Sequence, residues 1–249
     1  SGTVFFSVCA LGCKFCQNLS ISKGLVGEDV GEERLSEIFL ELQDQGAENI
    51  NLVTPSHFAP LVANSLRSVR HLLKIPVICN CSGYESPEIL KEFNGLVDVY
   101  LPDLKYFSSE RSLRYSGVSD YFSVASSALR EMFVQVGSCV FSERGMLQKG
   151  LLIRHLVLPG GKDDSAELLR WISNAFPLGS VFVSVMRQYT PCGDLSSCPE
   201  LNRSLFSMEY NAVLRVAQAL NLPGYIQGRG CSDLTTTPKF DLTGVRKDC

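Results

Sequence analysis

The 249-residue chain is long enough to bury one sizeable core and suits a single large domain. Its 45% hydrophobic and 20% charged residues are those of a globular protein in water. A net charge of −3 without clustered lysine or arginine gives no electrostatic reason to expect nucleic acid or a membrane surface, and the longest apolar runs, "VFVSV" and "LLIRHLVL", are strand-length.

Taken in chain order, strand-like runs alternate with helix-period segments. Strands are expected at residues 3–7, 49–54, 76–81, 97–101, 151–158 and 180–185. Most are apolar almost throughout, as parallel strands covered on both faces should be. Between them, Leu35, Ile38, Phe39 and Leu42 recur at helical spacing, as do Val62, Leu66, Val69 and Leu73. Ser86-Pro87 reads as an N-cap with proline at the first helical position. Leu168, Trp171, Ile172, Ala175 and Phe176 form a third stripe, with Asp164 and Glu167 before it in capping-box spacing. A last amphipathic helix carries Tyr210, Val213, Leu214 and Ala217.

Six strands each followed by helical sequence imply right-handed βα units. An open doubly wound sheet and a partial (β/α) barrel both satisfy that pattern. In either, function sits at the C-terminal ends of the strands. Residues 1–227 form the expected core domain, and 228–249, rich in Thr, Ser and Gly, a peripheral tail. The chain begins with Ser1 and enters a strand at once, which reads as a partial sequence, so a targeting peptide would not be visible.

Ten cysteines are not spaced like a secreted disulfide framework. They suggest metal-binding or reactive thiols in a reducing, cytoplasmic setting. Cys9, Cys13 and Cys16 follow the first strand as C-x3-C-x2-C, and Gly12 lets the loop wrap around a centre. Chance predicts roughly 0.02 such matches in a chain of this composition. A structural zinc site wants four ligands, and so does a fully cysteine-bound iron–sulfur cluster. Three thiolates on a cubane cluster leave one iron open, as catalytic sites do. Cys79 and Cys81 read as small buried hydrophobes. Cys192, Cys198, Cys231 and Cys249 form a loose set that reads as scattered structural thiols rather than a second cluster.

The cysteine motif, with Phe15 before its third cysteine, resembles the signature of radical S-adenosylmethionine (radical SAM) enzymes. Asn18 and the stretches "SGTVFFS", "CKFCQN", "NINLVTPSHF", "SGYES", "VDVYLPDLKY", "LLIRHLVLPGG" and "QYTP" resemble, in the same order, the pyruvate formate-lyase activating enzyme-like branch. The resemblance covers residues 1 to about 220. It implies a partial (β/α)6 TIM-like barrel, a 4Fe-4S cluster on Cys9, Cys13 and Cys16, and SAM on the open iron. It further implies reductive cleavage of SAM to a 5′-deoxyadenosyl radical, which abstracts hydrogen from a substrate such as a glycine of a partner enzyme. A reductant such as flavodoxin or ferredoxin is the implied electron donor. A cysteine-containing segment typically precedes the position of Ser1 in that branch.

Strand ends then supply candidate SAM contacts: Phe15 in the cysteine loop, Thr54, Asn80, Ser82, Asp103, Lys105, Arg154 and Gln188. Lys105 can offer an ammonium to the SAM carboxylate, with Asp103 orienting it or binding ribose. Arg154 is favoured over His155, and His57 and Tyr189 are secondary candidates. Pro159-Gly160-Gly161 is expected to bring backbone near adenine. Two departures stand out. Val53-Thr54-Pro55 replaces the Gly-Gly-Glu-like turn of many relatives, and Asn80 stands where the closest activases carry aspartate. These departures leave open a radical SAM reaction on a different protein or small molecule. A non-catalytic iron–sulfur or zinc protein is the alternative of another class.

Overall fold

The computed structural model describes residues 1–228 and 240–245. Its strands are β1 (Gly2–Phe5), β2 (Ile50–Val53), β3 (Val77–Cys81), β4 (Val99–Pro102), β5 (Val140–Phe141), β6 (Leu147–Leu156), β7 (Phe182–Met186) and β8 (Gly224–Ile226). Its helices are α1 (Leu19–Ser22), α2 (Glu32–Asp44), α3 (Ala59–Val69), α4 (Pro87–Lys91), α5 (Ser109–Ser116), α6 (Tyr121–Val136), α7 (Lys162–Ala175) and α8 (Ser207–Ala219). One sheet runs β1-β2-β3-β4-β6-β7-β8 with every neighbour parallel, and β5 adds to β6 as a short antiparallel flap. This is the parallel α/β architecture of a partial TIM-like barrel.

All six expected strands are present, with ends shifted by up to four residues. β6 starts at Leu147 instead of 151, because its polar "LQK" beginning pairs with β5 outside the core and lacks the apolar signal. β5 and β8 were not expected. Each is two or three residues long and exposed, too short for a periodicity to register. Helices α5 and α6 between β4 and β6 also carry no sequence-stripe expectation. Yet α6 buries Tyr121, Ala125, Ala128, Leu129 and Met132 against the sheet.

The core is dominated by strand residues that face the helices or the barrel interior. Ile50, Leu52, Val77, Cys79, Tyr100, Leu151 and Ile153 are fully buried. Cys79 and Cys81 belong to this apolar cluster. In α2, Leu35, Ile38 and Phe39 are buried as the stripe requires. Ser86 caps α4, its Oγ accepting from Ile89 N at 3.3 Å.

The expected capping box at α7 is not formed. The turn through Gly160 (φ +70°) starts the helix earlier, at Lys162, with Gly161 as its N-cap. Asp164 therefore sits inside the first turn. Its carboxylate instead accepts from Ser108 N (2.7 Å) and Phe107 N (3.1 Å), tying α7 to the segment after β4. In the C-terminal region, Phe240 packs edge-on against Phe5 at 5.2 Å, and Arg34 of α2 donates to the Val245 carbonyl at 3.0 Å. The rest of the expected tail, with Cys231 and Cys249, lies outside the described residues.

Glu209 is the polar staple of this end of the fold. Its carboxylate accepts from Gly160 N (2.7 Å), Phe206 N (3.0 Å) and the Arg203 guanidinium (2.7 and 2.9 Å). Gly160 is thus tied to α8, and residues 159–161 do not line the cavity described below. The Arg203 hydrogen bond, outweighing burial, holds the Glu209 carboxyl at about 2, below its ordinary 4.5. The staple therefore contributes stability above pH 4.5 and loses it as the pH falls towards 2. Replacing Glu209→Gln should cost about 1–3 kcal/mol at neutral pH in urea denaturation, and the gap to wild type should close between pH 4.5 and 2.

Candidate functional site

A cavity of about 240 Å³ opens at the C-terminal ends of the strands. Cys9, Cys13 and Cys16 reach it from the β1–α1 loop. It is also lined by Phe15, Thr54, Asn80 and Ser82, and by Asp103, Lys105, Arg154 and Gln188. Residues more than 170 positions apart in sequence thus share one wall. The sheet register explains the convergence. β3, β4 and β6 lie side by side, and pairing continues past the end of β4: Asp103 N donates to the Cys81 carbonyl at 2.9 Å, and Leu104 N to the Arg154 carbonyl at 2.8 Å.

The side chains at those ends form a polar row. Arg154 Nη2 lies 2.7 Å from Asn80 Oδ1 and 2.7 Å from Asp103 Oδ1. Lys105 Nζ lies 2.6 Å from Asp103 Oδ2. Burial pushes the Asp103 carboxyl up, but Arg154 and Lys105 outweigh it and hold it below the usual carboxylate range. Burial pulls the Lys105 ammonium down, and Asp103 more than reverses that. Asp103 and Lys105 are therefore charged, and with the guanidinium cation of Arg154 they leave one positive charge in excess. Among the described residues, Arg154 Nε is a buried donor with no partner. Asn80, which lacks the charge of an aspartate, serves here as the acceptor for Arg154.

A second layer holds the row. Tyr121 Oη donates to the Asp103 carbonyl (2.7 Å) or the Ser82 carbonyl (2.9 Å), and accepts from Lys105 N at 3.0 Å. Gly83 sits so close that a Cβ there would meet the Asp103 carbonyl at 2.2 Å, and its φ is +80°. Neither residue was singled out in the sequence. Tyr121 sits on a helix that no stripe announced, and Gly83 was legible only as part of "SGY".

Other candidates fall differently. His155 is buried, with Nδ1 2.7 Å from the Leu104 carbonyl and Nε2 2.8 Å from Ser165 Oγ. Burial depresses its pKa, and it packs as a neutral core histidine away from the cavity. His57 is exposed at the edge of a second depression that also takes in Glu85. Tyr189 lines the cavity with its ring 5.9 Å from that of Phe15, and its hydroxyl donates to the Leu201 carbonyl. Gln188 accepts from Gln227 Nε2 at 2.9 Å. Cys81 also lines the cavity, so strict alternation at the end of β3 is relaxed where the strand turns.

The cysteine loop is braced from two sides. Lys14 N donates to the Tyr115 carbonyl at 2.9 Å, and Cys192 Sγ to the Phe15 carbonyl at 3.1 Å. Cys198 is buried beside Lys14. All eight described cysteines are free thiols. Burial pushes the thiols of Cys9 and Cys13 up, with Lys105 pulling both the other way. Bound metal would deprotonate them. Among the described residues no three His, Cys, Asp or Glu side chains converge as they would on one ion. In a 4Fe-4S cluster each thiolate binds its own iron, so ligands stand further apart. The three thiols on one braced loop, facing a cavity with a cationic excess and an unpartnered donor, fit a cluster with one iron open to an anionic ligand.

Residues 2–119 match the family model of the 4Fe-4S single cluster domain. Solved structures of similar shape include Streptococcus suis SuiB bound to the precursor peptide SuiA, at TM-score 0.58 and 16% identity over 92% of this chain and 49% of that one. Methylornithine synthase aligns at TM-score 0.56 and 16% identity, over 89% of this chain and 63% of that one. A spore photoproduct lyase variant aligns at 0.54 and 10%, over 89% and 74%. The fold is that of the radical SAM superfamily. An uncharacterised protein of Methanocaldococcus jannaschii is 30% identical over 233 residues, which are 89% of this chain and 63% of that protein. The chain spans about half the length of SuiB and less than two thirds of the archaeal relative. A further SuiB structure, also similar at TM-score 0.56, holds S-adenosylmethionine. Among the described residues no helix is long and apolar enough to cross a membrane.

The Asp103 carboxylate carries two cations in this radical SAM fold. Replacing Asp103→Asn leaves both without a counter-charge and should destabilise the protein by roughly 3 kcal/mol in urea denaturation. Asp103→Glu should recover only part of that, because Tyr121 and Gly83 fix the backbone beneath it.

Proposed function

We propose that this chain is a radical SAM oxidoreductase acting on a partner protein, with a 4Fe-4S cluster on Cys9, Cys13 and Cys16. The observation that carries this reading is the shared cavity, where three free thiols on one loop face the row Asn80–Arg154–Asp103–Lys105. When bound, cluster and SAM together supply a 5′-deoxyadenosyl radical by one-electron cleavage of the sulfonium bond, with methionine as co-product.

The chain's own residues bind, orient and shield. Lys105 and Arg154 offer the excess positive charge to the methionine carboxylate. Asp103 holds both cations in place through its two carboxylate oxygens. Phe15 packs the cysteine loop against Tyr189 and excludes water from the loop's inner side. Thr54, in left-handed conformation (φ +59°), supplies backbone and hydroxyl groups where relatives carry a Gly-Gly-Glu-like turn, and Ser82 adds a hydroxyl at the end of β3. Gln188, which lines the same cavity, would hold the ribose or the substrate.

A glycine of a partner enzyme is the substrate supported by the ordered motif resemblance to the activating-enzyme branch. SuiB, of the same fold, binds a precursor peptide, which supports a polypeptide substrate more broadly. The electron donor is a low-potential carrier such as flavodoxin or ferredoxin. A second reading, a radical SAM reaction on another molecule, is favoured by Asn80 and by Val53-Thr54-Pro55.

Anaerobic reconstitution should yield about four irons per chain. Under reducing conditions the protein should then convert SAM to 5′-deoxyadenosine, read by chromatography. An intact cluster without that product would overturn the proposal. Lys105→Met should keep the iron content and weaken SAM binding by about tenfold or more, as loss of one charge-assisted hydrogen bond predicts.

A further inference from the structure

The three thiols differ in what hydrogen-bonds to them. The Ser22 hydroxyl lies 3.6 Å from Cys16 Sγ. Cys13 Sγ lies 3.0 Å from Ser116 Oγ, which in turn lies 2.7 Å from Tyr106 Oη. Ser116 and Tyr106 are 2% and 1% exposed, so water cannot substitute for either partner. Ser116 is the last residue of α5, followed by Gly117 in left-handed conformation (φ +79°). The preceding carbonyl, of Tyr115, accepts from Lys14 N, so backbone fixes the cysteine loop and the serine relative to each other.

We infer that Ser116, oriented by Tyr106, is a positioning residue that donates a hydrogen bond to the Cys13 thiolate and raises the reduction potential of the cluster. The inference rests on the cluster reading of Cys9, Cys13 and Cys16. A free Cys13 thiol could donate to Ser116 or accept from it. A ligating thiolate can only accept. Ser116 must then donate, which uses its one proton. Tyr106 must in turn donate to Ser116. Cluster binding therefore sets the direction of both bonds, and a chain of two buried hydroxyls ends on a ligand sulfur.

One-electron reduction adds negative charge to the cluster. A donor aimed at a ligand sulfur stabilises the reduced state more than the oxidised one. Low local dielectric strengthens the effect, and the Tyr106 donation polarises the Ser116 hydroxyl further. The electron itself comes from the low-potential carrier named above. The relay makes the cluster easier for such a carrier to reduce.

The test is an EPR-monitored redox titration of the anaerobically reconstituted full chain. Wild type is compared with Ser116→Ala and Tyr106→Phe, with iron content measured in parallel. Ser116→Ala should keep its cluster and shift the midpoint to more negative potential. Its reduced-to-oxidised ratio at fixed potential should fall severalfold, up to about tenfold. Tyr106→Phe should shift the same way by less. Ser116→Thr, which keeps the hydroxyl, should titrate with wild type. A loaded Ser116→Ala protein with an unchanged midpoint overturns the inference and leaves the cluster reading standing. If Ser116→Ala loads poorly, Tyr106→Phe decides, and an unchanged midpoint there overturns the inference. A wild-type chain that takes up no cluster overturns the cluster reading instead.

Discussion

The site depends on one carboxylate. Asp103 emerges at the end of β4, between the ends of β3 and β6, and neutralises part of two cations that no other acid in the cavity wall reaches. A half-buried cation without a partner would shed its proton or turn to solvent. With Asp103 in place, Arg154 reaches across to Asn80, and Lys105 is held against the cavity near Cys13. Tyr121 and Gly83 hold the backbone below, and α6 holds Tyr121. The electrostatics of the strand ends are thus anchored in the packing of a helix on the opposite side of the sheet.

The cysteine loop has a different kind of support. It carries little regular structure, and α1 after it is a single turn. Its shape comes from contacts to distant parts of the chain. The end of α5 binds Lys14, residue 192 binds the Phe15 carbonyl, and Tyr189 covers Phe15. Gly193 (φ +72°) comes so near that a Cβ would lie 2.7 Å from the Lys14 carbonyl. Loops are a common place for function because a rigid scaffold can hold them. Here the scaffold also reaches the Cys13 thiol, through Ser116 and Tyr106.

Much of this was legible in residue order. Parallel strands buried on both faces announce themselves as apolar runs, and the six longer ones were found. The filter that function follows strand ends brought Thr54, Asn80, Asp103, Lys105, Arg154 and Gln188 to attention, and the structure gathers them in one cavity with the three cysteines. The misses have physical causes. β5 and β8 are too short for a period. The Asp164 carboxylate has two local uses, capping its own helix or binding a neighbouring loop, and only the position of that loop selects the second. The Gly160 turn is drawn to Glu209, 49 residues later, which no local signal discloses.

The sequence by itself determined the chemistry on offer: three closely spaced thiols in one loop, an alternating α/β order, and charged residues at strand ends. These are local properties, written in spacing and period. Tertiary structure alone decided which groups meet. Arg154 meets Asn80 and Asp103, because β3, β4 and β6 lie side by side in the sheet. Ser116 meets Cys13 across 103 positions, because the end of α5 packs against the cysteine loop. Such pairings depend on sheet order and helix packing, which belong to the whole chain and leave no mark in any short stretch of it.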